Sequence, residues 1–288
     1  MSLLQQQTPF FAHPHLTGSL WPDKVRDSFA DRVAAVAAAG GPGMGMGWYE
    51  LEDVLATRSL GDLRAVLDEY GVRIGEIELL QGWHTDGEEA EHSRRSEDQL
   101  FSWAESFGAT RIKTTAVFIP PAELTPRDLL VERFAALCDR AAERGLTVEL
   151  EPFAVLPDFH YGVAADVVMT ADRPNGGLLI DAWHLFRDPH GPAALQRVEG
   201  RHITGVELCD GTAEPVGGIQ DDCVNNRKLP GEGDFDLVWM LRTLEAKGVD
   251  VTLSTEVLSE ELRKLTPKEV VTRTTTAVRT LLQAVRKS

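Results

Sequence analysis

The chain is poor in cysteine: three among 288 residues, Cys138, Cys209 and Cys223, with no C-x-x-C spacing. An odd, unclustered set excludes a disulfide framework and points to a reducing compartment, so a cytoplasmic protein is expected. Basic residues are also scarce, 29 Lys+Arg against 45 Asp+Glu, for a formal charge of −16. That balance argues against a nucleic-acid partner, whose phosphates bind through Lys and Arg, and against an anionic membrane surface. A small neutral or weakly anionic molecule is the expected partner. No apolar run reaches membrane-spanning length, and "MSLLQQQTPFFAHPHL" lacks the basic start and long apolar core of a signal peptide. No G-x-G-x-x-G opens the first unit, which weakens a dinucleotide-binding open sheet. "GGPGMGMGW" is glycine-rich without that spacing and reads as tight packing around a second strand. No linker or low-complexity stretch divides the sequence, so residues 1–288 are expected to form one domain.

Strand-like and helix-like segments instead alternate from end to end. Strand candidates are 15–21, 43–50, 73–80, 111–118, 146–152, 177–183, 203–210 and 251–257. Between them lie amphipathic patterns such as "DSFADRVAAVAAAG", "LEDVLATRSLGDLRAVLDEYG", "LLVERFAALCDRAAERG" and "FDLVWMLRTLEAKG". Each of these four ends on a glycine suited to a left-handed cap: Gly40, Gly71, Gly145 and Gly248. Such alternation implies parallel strands joined by crossover helices. Eight candidates in one chain of this length predict an α/β fold of the (β/α)8 TIM barrel type. A doubly wound sheet is the alternative.

Sites in such barrels form at the C-terminal ends of the strands. Side chains alternate along a strand, so apolar residues facing the helices turn their neighbours inward. With Val148 and Leu150 outward, Glu149 and Glu151 face in. The same phase turns Asp181 in on strand 6, Glu207 on strand 7 and Glu256 on strand 8. Four successive strands thus each deliver a carboxylate, on strands about 4.8 Å apart. Carboxylates so close repel one another unless some are protonated or a cation lies between them. An all-oxygen cage suits a hard divalent ion, Mg²⁺ or Mn²⁺. Any one of these residues alone could equally be a core carboxylate paired with Lys113 or an arginine. Glu149 lies deeper and reads as a buried network partner.

His184 follows Asp181 as D-x-x-H and reads as a substrate contact just past the strand end, against a loop histidine bonded to backbone. Arg227 precedes the turn around Pro230, Gly231 and Gly233, which would hold it near the barrel mouth as a donor for substrate oxygens. The alternative is a solvent-facing loop arginine. Asp234 is expected to cap the following helix. Trp83 and Trp183 end strands 3 and 6 and could wall a small pocket, with His84 beside Trp83 as a further contact. Trp48 is expected in the core. His13, His15 and His160 are weaker candidates, and His92, His190 and His202 read as surface or helix-start residues.

Together, "ELEPF", "LLIDAWHLFRD", "VELCDG", "RKLPGEGDFD" and "LSTEVLS" resemble the xylose-isomerase-like TIM barrel superfamily of sugar-phosphate isomerases and epimerases. The resemblance runs from about strand 2 to the last helix. It implies metal ligation by Glu151, Asp181, position 207 and Glu256, with His184 and Arg227 on the substrate. Position 207 departs from the pattern: the superfamily commonly places His there, in H-x-x-D, whereas Glu207 precedes Asp210. A glutamate makes the cage more anionic and favours Mg²⁺ or Mn²⁺ over Zn²⁺. Geometry and resemblance together imply isomerisation or epimerisation of a small keto-sugar, sugar phosphate or keto-polyol through a cis-enediolate. Glu151 and Glu256 would be the acid–base pair. Loss of a β-hydroxyl from the same enolate would instead make a dehydratase (lyase) of the inosose or dehydroshikimate type. A non-catalytic small-molecule-binding barrel is the third reading. The resemblance also implies a homodimer or homotetramer.

Overall fold

The computed structural model describes residues 3–6, 8–20, 23–116, 125–156 and 158–287. Eight strands follow one another in sequence order around a closed barrel. They are β1 (Phe10–Phe11), β2 (Gly43–Gly47), β3 (Arg73–Leu80), β4 (Arg111–Thr114), β5 (Thr147–Leu150), β6 (Gly176–Asp181), β7 (Ile203–Leu208) and β8 (Leu253–Thr255). The pairs β1–β2, β1–β8, β3–β4, β4–β5, β5–β6 and β7–β8 are all parallel. This is the (β/α)8 arrangement that the alternating pattern predicts. Among the described residues, no helix is long and apolar enough to cross a membrane.

The chain's contacts group into two compact units. One comprises Met1–Gly75, Asp181–Trp183 and Val206–Ser288. Here the helix Phe29–Ala38, capped by the Ser28 side chain on Asp31 N, packs against the long helix Pro267–Lys287. The latter buries Val270, Val271, Thr274, Val278, Leu281, Leu282 and Val285, a stripe at helical spacing. The other unit comprises Glu76–Ile180 and His184–Gly205. Its helices Arg127–Ala142 and Tyr161–Ala171 pack on each other, with Phe134, Leu137, Cys138, Val167 and Val168 buried. Gly40, Gly71, Gly145 and Gly248 all take the left-handed conformation expected of helix-ending glycines.

Several boundaries differ from the sequence reading. The first strand is Phe10–Phe11, not 15–21. His13–Leu16 is a helical turn with Pro14 as its second residue, within the first turn, where an N–H has no intrahelical partner to lose. A two-residue strand with both side chains buried is too short to show any alternation. Trp21 and residues 117–118 of the fourth candidate lie outside the described residues. β2 stops at Gly47 and a helix, Trp48–Leu55, begins at once, which leaves Trp48 exposed and not in the core. The single helical pattern expected after it is divided by Ser59, which forms a capping box with Asp62 and starts a second helix, Leu60–Tyr70. The reading of "GMGMG" as close packing is sound. A Cβ on Gly43 would collide with the Arg73 carbonyl, and one on Gly47 would meet the His13 ring at 2.6 Å. Asp236, not Asp234, caps the helix Leu237–Ala246, accepting from Trp239 N at 2.9 Å. Asp234 instead accepts from Ala213 N at 2.9 Å, across the turn.

Candidate metal and substrate site

Asp181 is the last residue of β6, Glu207 is the penultimate residue of β7, and Glu256 follows the end of β8. β7 and β8 are in register with Glu207 opposite Ser254, so Glu256, two residues on, shares the Ser254 face. All three carboxylates are buried, and each has an oxygen within 4.8 Å of one on each of the others.

Arg227 lies among them, also buried. Its Nη1 donates to Asp181 Oδ2 at 3.1 Å, Glu256 Oε2 at 3.0 Å and Glu256 O at 3.2 Å. Its Nε donates to Cys223 O at 2.8 Å, and the guanidinium lies over the Trp183 ring, 5.3 Å from its centroid. Burial opposes the charge, but the Asp181 and Glu256 carboxylates hold the guanidinium well above its ordinary pKa. The expected place of Arg227 beside the site's acids is met, and its donors described here reach the Asp181 and Glu256 carboxylates and the Cys223 and Glu256 carbonyls. This group of four side chains holds three acids and one base, and every donor atom available to a metal is a carboxylate oxygen. Such a set, anionic and enclosed, fits a hard divalent cation by donor type and by charge.

Supporting contacts fix these side chains. The Trp183 indole N–H donates to Asp222 Oδ2 at 2.8 Å, and Val216 N donates to Asp222 Oδ1 at 2.8 Å. His15, one of the weaker sequence candidates, accepts from Val257 N through Nδ1 at 2.9 Å, next to Glu256. Its Nε2 meets Thr274 Oγ1 at 3.0 Å and the ring stacks on Phe11. Burial is the main cause that lowers the His15 pKa to about 4, against the opposing pull of Glu256. The unfolded chain takes up that proton near pH 6.5, the folded chain only near 4, so stability falls as pH drops through this window. About 3 kcal/mol is the expected loss by pH 4. His15→Gln should flatten the fall in melting temperature between pH 6.5 and 4 and leave the curve above pH 7 unchanged in slope.

In the other unit, Glu151 directly follows β5 and is buried. His184 Nε2 is 3.8 Å from Glu151 Oε1. The ring stacks on Phe153 with centroids 4.8 Å apart, and Nδ1 accepts from Ala154 N at 3.0 Å. A bare Nδ1 puts the imidazole proton on Nε2, the nitrogen turned to Glu151. Beneath it β3, β4 and β5 carry a buried ladder that the sequence reading saw only in part. Arg111 pairs with Glu76 at 3.1 Å and Glu149 at 3.3 Å. Lys113 pairs with Glu78 at 2.9 Å and stands 4.0 Å from Glu151. Burial pushes Glu149 up to about 7, partly offset by Arg111, consistent with a network partner. The signal was legible: E-x-E, R-x-K and E-x-E at period two on three consecutive strands. Trp83 and His84 lie in the turn after β3, both buried. The indole of Trp83 donates to Thr115 O at 2.9 Å, and His84 Nδ1 is 3.3 Å from Thr125 Oγ1. Trp183, by contrast, lies in the first-described unit.

A second group, His160, Asp188 and His190, also has ligand-type atoms within 4.8 Å of one another. Its hydrogen bonds are those of helix capping. His160 Nδ1 accepts from Gly162 N at 3.1 Å; Asp188 accepts from Tyr161 N at 2.6 Å and His190 N at 2.8 Å. Helix starts present partial positive charge, which disfavours a cation there. His202, expected as a surface or helix-start residue, ends the short 3-10 helix Gly200–His202 and is buried, its Nε2 3.5 Å from Asp172 Oδ1.

Residues 33–281 match the family model described as xylose isomerase-like TIM barrel. Among curated proteins, an inosose isomerase of Bacillus licheniformis is 30% identical over 160 residues, 54% of this chain and 55% of that protein. A 3-dehydroshikimate dehydratase of Pseudomonas aeruginosa is 30% identical over 136 residues, 47% of this chain and 21% of that protein. The alignments thus span about half or less of these relatives. Among solved structures, the IOLI protein with a binding zinc atom superposes with a TM-score of 0.82 at 18% identity, over 96% of this chain and 98% of that one. A xylose isomerase-like TIM barrel protein of Mycobacterium smegmatis in complex with magnesium gives 0.69 at 18% identity, over 99% of each.

Proposed function

The chain belongs to the xylose isomerase-like TIM barrel family, and we propose that it is a divalent-metal-dependent isomerase or epimerase of a small keto-polyol, keto-sugar or sugar phosphate. The observation that carries this reading is the meeting of Asp181, Glu207 and Glu256 within 4.8 Å at the ends of three consecutive strands. Glu151, at the end of the preceding strand, is proposed as the fourth oxygen donor. A bound divalent ion would supply Lewis-acid polarisation of a substrate carbonyl and its neighbouring hydroxyl. Oxygen donors at all four positions, with Glu207 where the family resemblance implies a His, favour Mg²⁺ or Mn²⁺ over Zn²⁺.

The side chains divide the remaining work. Glu256, held through Oε2 by Arg227, and Glu151, set near His184 and Lys113, act on the C–H beside the carbonyl. One removes the proton to give an enediolate and the other returns it. Return to the opposite face epimerises; return to the adjacent carbon isomerises. The imidazole N–H of His184 donates to a substrate oxygen, Arg227 holds Asp181 and Glu256 in place beside the substrate, and Trp83, His84 and Trp183 are proposed as further substrate contacts. Inosose isomerases among the relatives support a cyclic keto-polyol substrate. The dehydratase relatives support a second reading, loss of a β-hydroxyl from the same enediolate. Three buried free cysteines accord with the cytoplasmic, reducing setting proposed for it, as a homodimer or homotetramer.

The test is solvent deuterium incorporation. With inososes or keto-sugars in D₂O and Mn²⁺, exchange at the carbon beside the carbonyl should appear, vanish after EDTA and return with added Mn²⁺. Exchange indifferent to EDTA, in protein free of metal by elemental analysis, would remove the metal-dependent reading. A new enone absorbance would select the lyase.

A further inference from the structure

The helix Ile219–Asn225 follows β7 and has no part in the chemistry proposed above, yet it holds two groups of the site at once. Asp222 is buried and accepts two N–H donors, the Trp183 indole at 2.8 Å and Val216 N at 2.8 Å. The next residue, Cys223, accepts Arg227 Nε through its carbonyl at 2.8 Å. The ring that Asp222 anchors is the one beneath the Arg227 guanidinium, at 5.3 Å. Arg227 Nη1 in turn meets both Asp181 and Glu256, at 3.1 and 3.0 Å. A nitrogen shared by two carboxylates keeps both bonds only if the guanidinium plane stays fixed, since hydrogen bonds weaken steeply off line.

We infer that Asp222 is a positioning residue of the site, acting through the Trp183 indole to fix the plane of Arg227 and so the two carboxylates that Arg227 holds. Its place in a catalytic centre rests on the function proposed above; the mechanical chain from Asp222 to Asp181 does not. The chemistry selects aspartate. The Trp183 indole and Val216 N are both N–H donors, so an ionised carboxylate satisfies both, whereas an amide offers one acceptor and turns an NH₂ on the other donor. Glutamate at this position would move the acceptors by a methylene and displace the indole.

Two variants separate positioning from general support. Asp222→Asn removes one acceptor at constant volume; Trp183→Phe keeps a ring under Arg227 and removes the N–H. The Arg227 Nε–H resonance, identified by its loss in Arg227→Lys, is followed by NMR in metal-free protein. Asp222→Asn should shift and broaden that signal, and in the Trp183→Phe background the same substitution should leave it where Trp183→Phe alone puts it. With Mn²⁺ alone as probe, affinity should fall about fivefold to tenfold in Asp222→Asn and by less than twofold when added to Trp183→Phe. An Arg227 signal untouched by Asp222→Asn, or shifted equally in both backgrounds, overturns the inference. If the wild-type protein binds no Mn²⁺, the function proposed above falls, and the Arg227 signal still decides this one.

Discussion

Glu256→Gln and Glu151→Gln are each expected to lower turnover by about 10²–10⁴-fold, the usual contribution of a positioned proton-transfer group. An amide has the shape of the carboxylate and keeps one oxygen acceptor, but it neither takes nor returns a proton. The two variants should nevertheless differ. Glu256 Oε2 accepts from Arg227 Nη1 at 3.0 Å, so glutamine there also disturbs the guanidinium that holds Asp181. Glu151 stands with His184 at 3.8 Å and Lys113 at 4.0 Å, apart from that bond. Glu256→Gln should therefore weaken Mn²⁺ binding as well as turnover, and Glu151→Gln should retain more of the affinity. Epimerisation uses one residue to remove the proton and the other to return it. Each variant should then retain wash-in of deuterium in one substrate direction while losing net conversion. Exchange and conversion measured in both directions provide the check. Full turnover in either variant would remove that residue from the acid–base pair.

The barrel was legible because its signal is repetitive: strand, helix and a glycine stop recur until the sheet closes. The carboxylates were legible for a related reason. Asp181, Glu207 and Glu256 each interrupt an apolar strand in the inward phase, and a charge in that place needs a cause. What the sequence hid is of two kinds. β1 is two phenylalanines long, and periodicity cannot be read from one step; the hydrophobic "HLTGSLW" competed for the role, but His15 and Leu16 belong to the helical turn His13–Leu16. The other kind is partnership across strands. Nothing near Arg227 in the chain says that its Nη1 meets Asp181, 46 residues earlier, so an arginine before a turn reads as a substrate donor. Asp222 escaped, and His15 ranked only as a weaker candidate, for the same reason: each acts on a residue distant in sequence, Trp183 and Val257, and each looks ordinary in its own segment. The Glu76–Arg111–Glu149 ladder lay between these cases, visible as period-two charge on three strands once the strands are aligned.

Arg227→Met should be the most destabilising change in the site, and divalent metal should reverse much of it. Asp181, Glu207 and Glu256 are acids enclosed in one group, and Arg227 is the base that meets two of them. Methionine fills part of the volume but withdraws the positive charge and the Nη1 donor. Breaking a buried ion pair from one side costs about 3–5 kcal/mol. In a chain of this size that lowers the melting temperature of metal-free protein by about 5–8 °C. The site left behind is more anionic by one charge. Bound Mn²⁺ stabilises the folded state through its affinity for it, so the rise in melting temperature at saturating Mn²⁺ should be larger in Arg227→Met than in wild type. Arg227→Lys distinguishes charge from geometry. An ammonium restores the charge but cannot reach the Cys223 carbonyl with one nitrogen and two carboxylates with another. It should recover most of the metal-free stability and little of the turnover. Calorimetry of the three proteins with EDTA and with Mn²⁺ reads this directly. A metal-induced gain in Arg227→Met no larger than in wild type would mean that the guanidinium and the ion do not balance the same carboxylates.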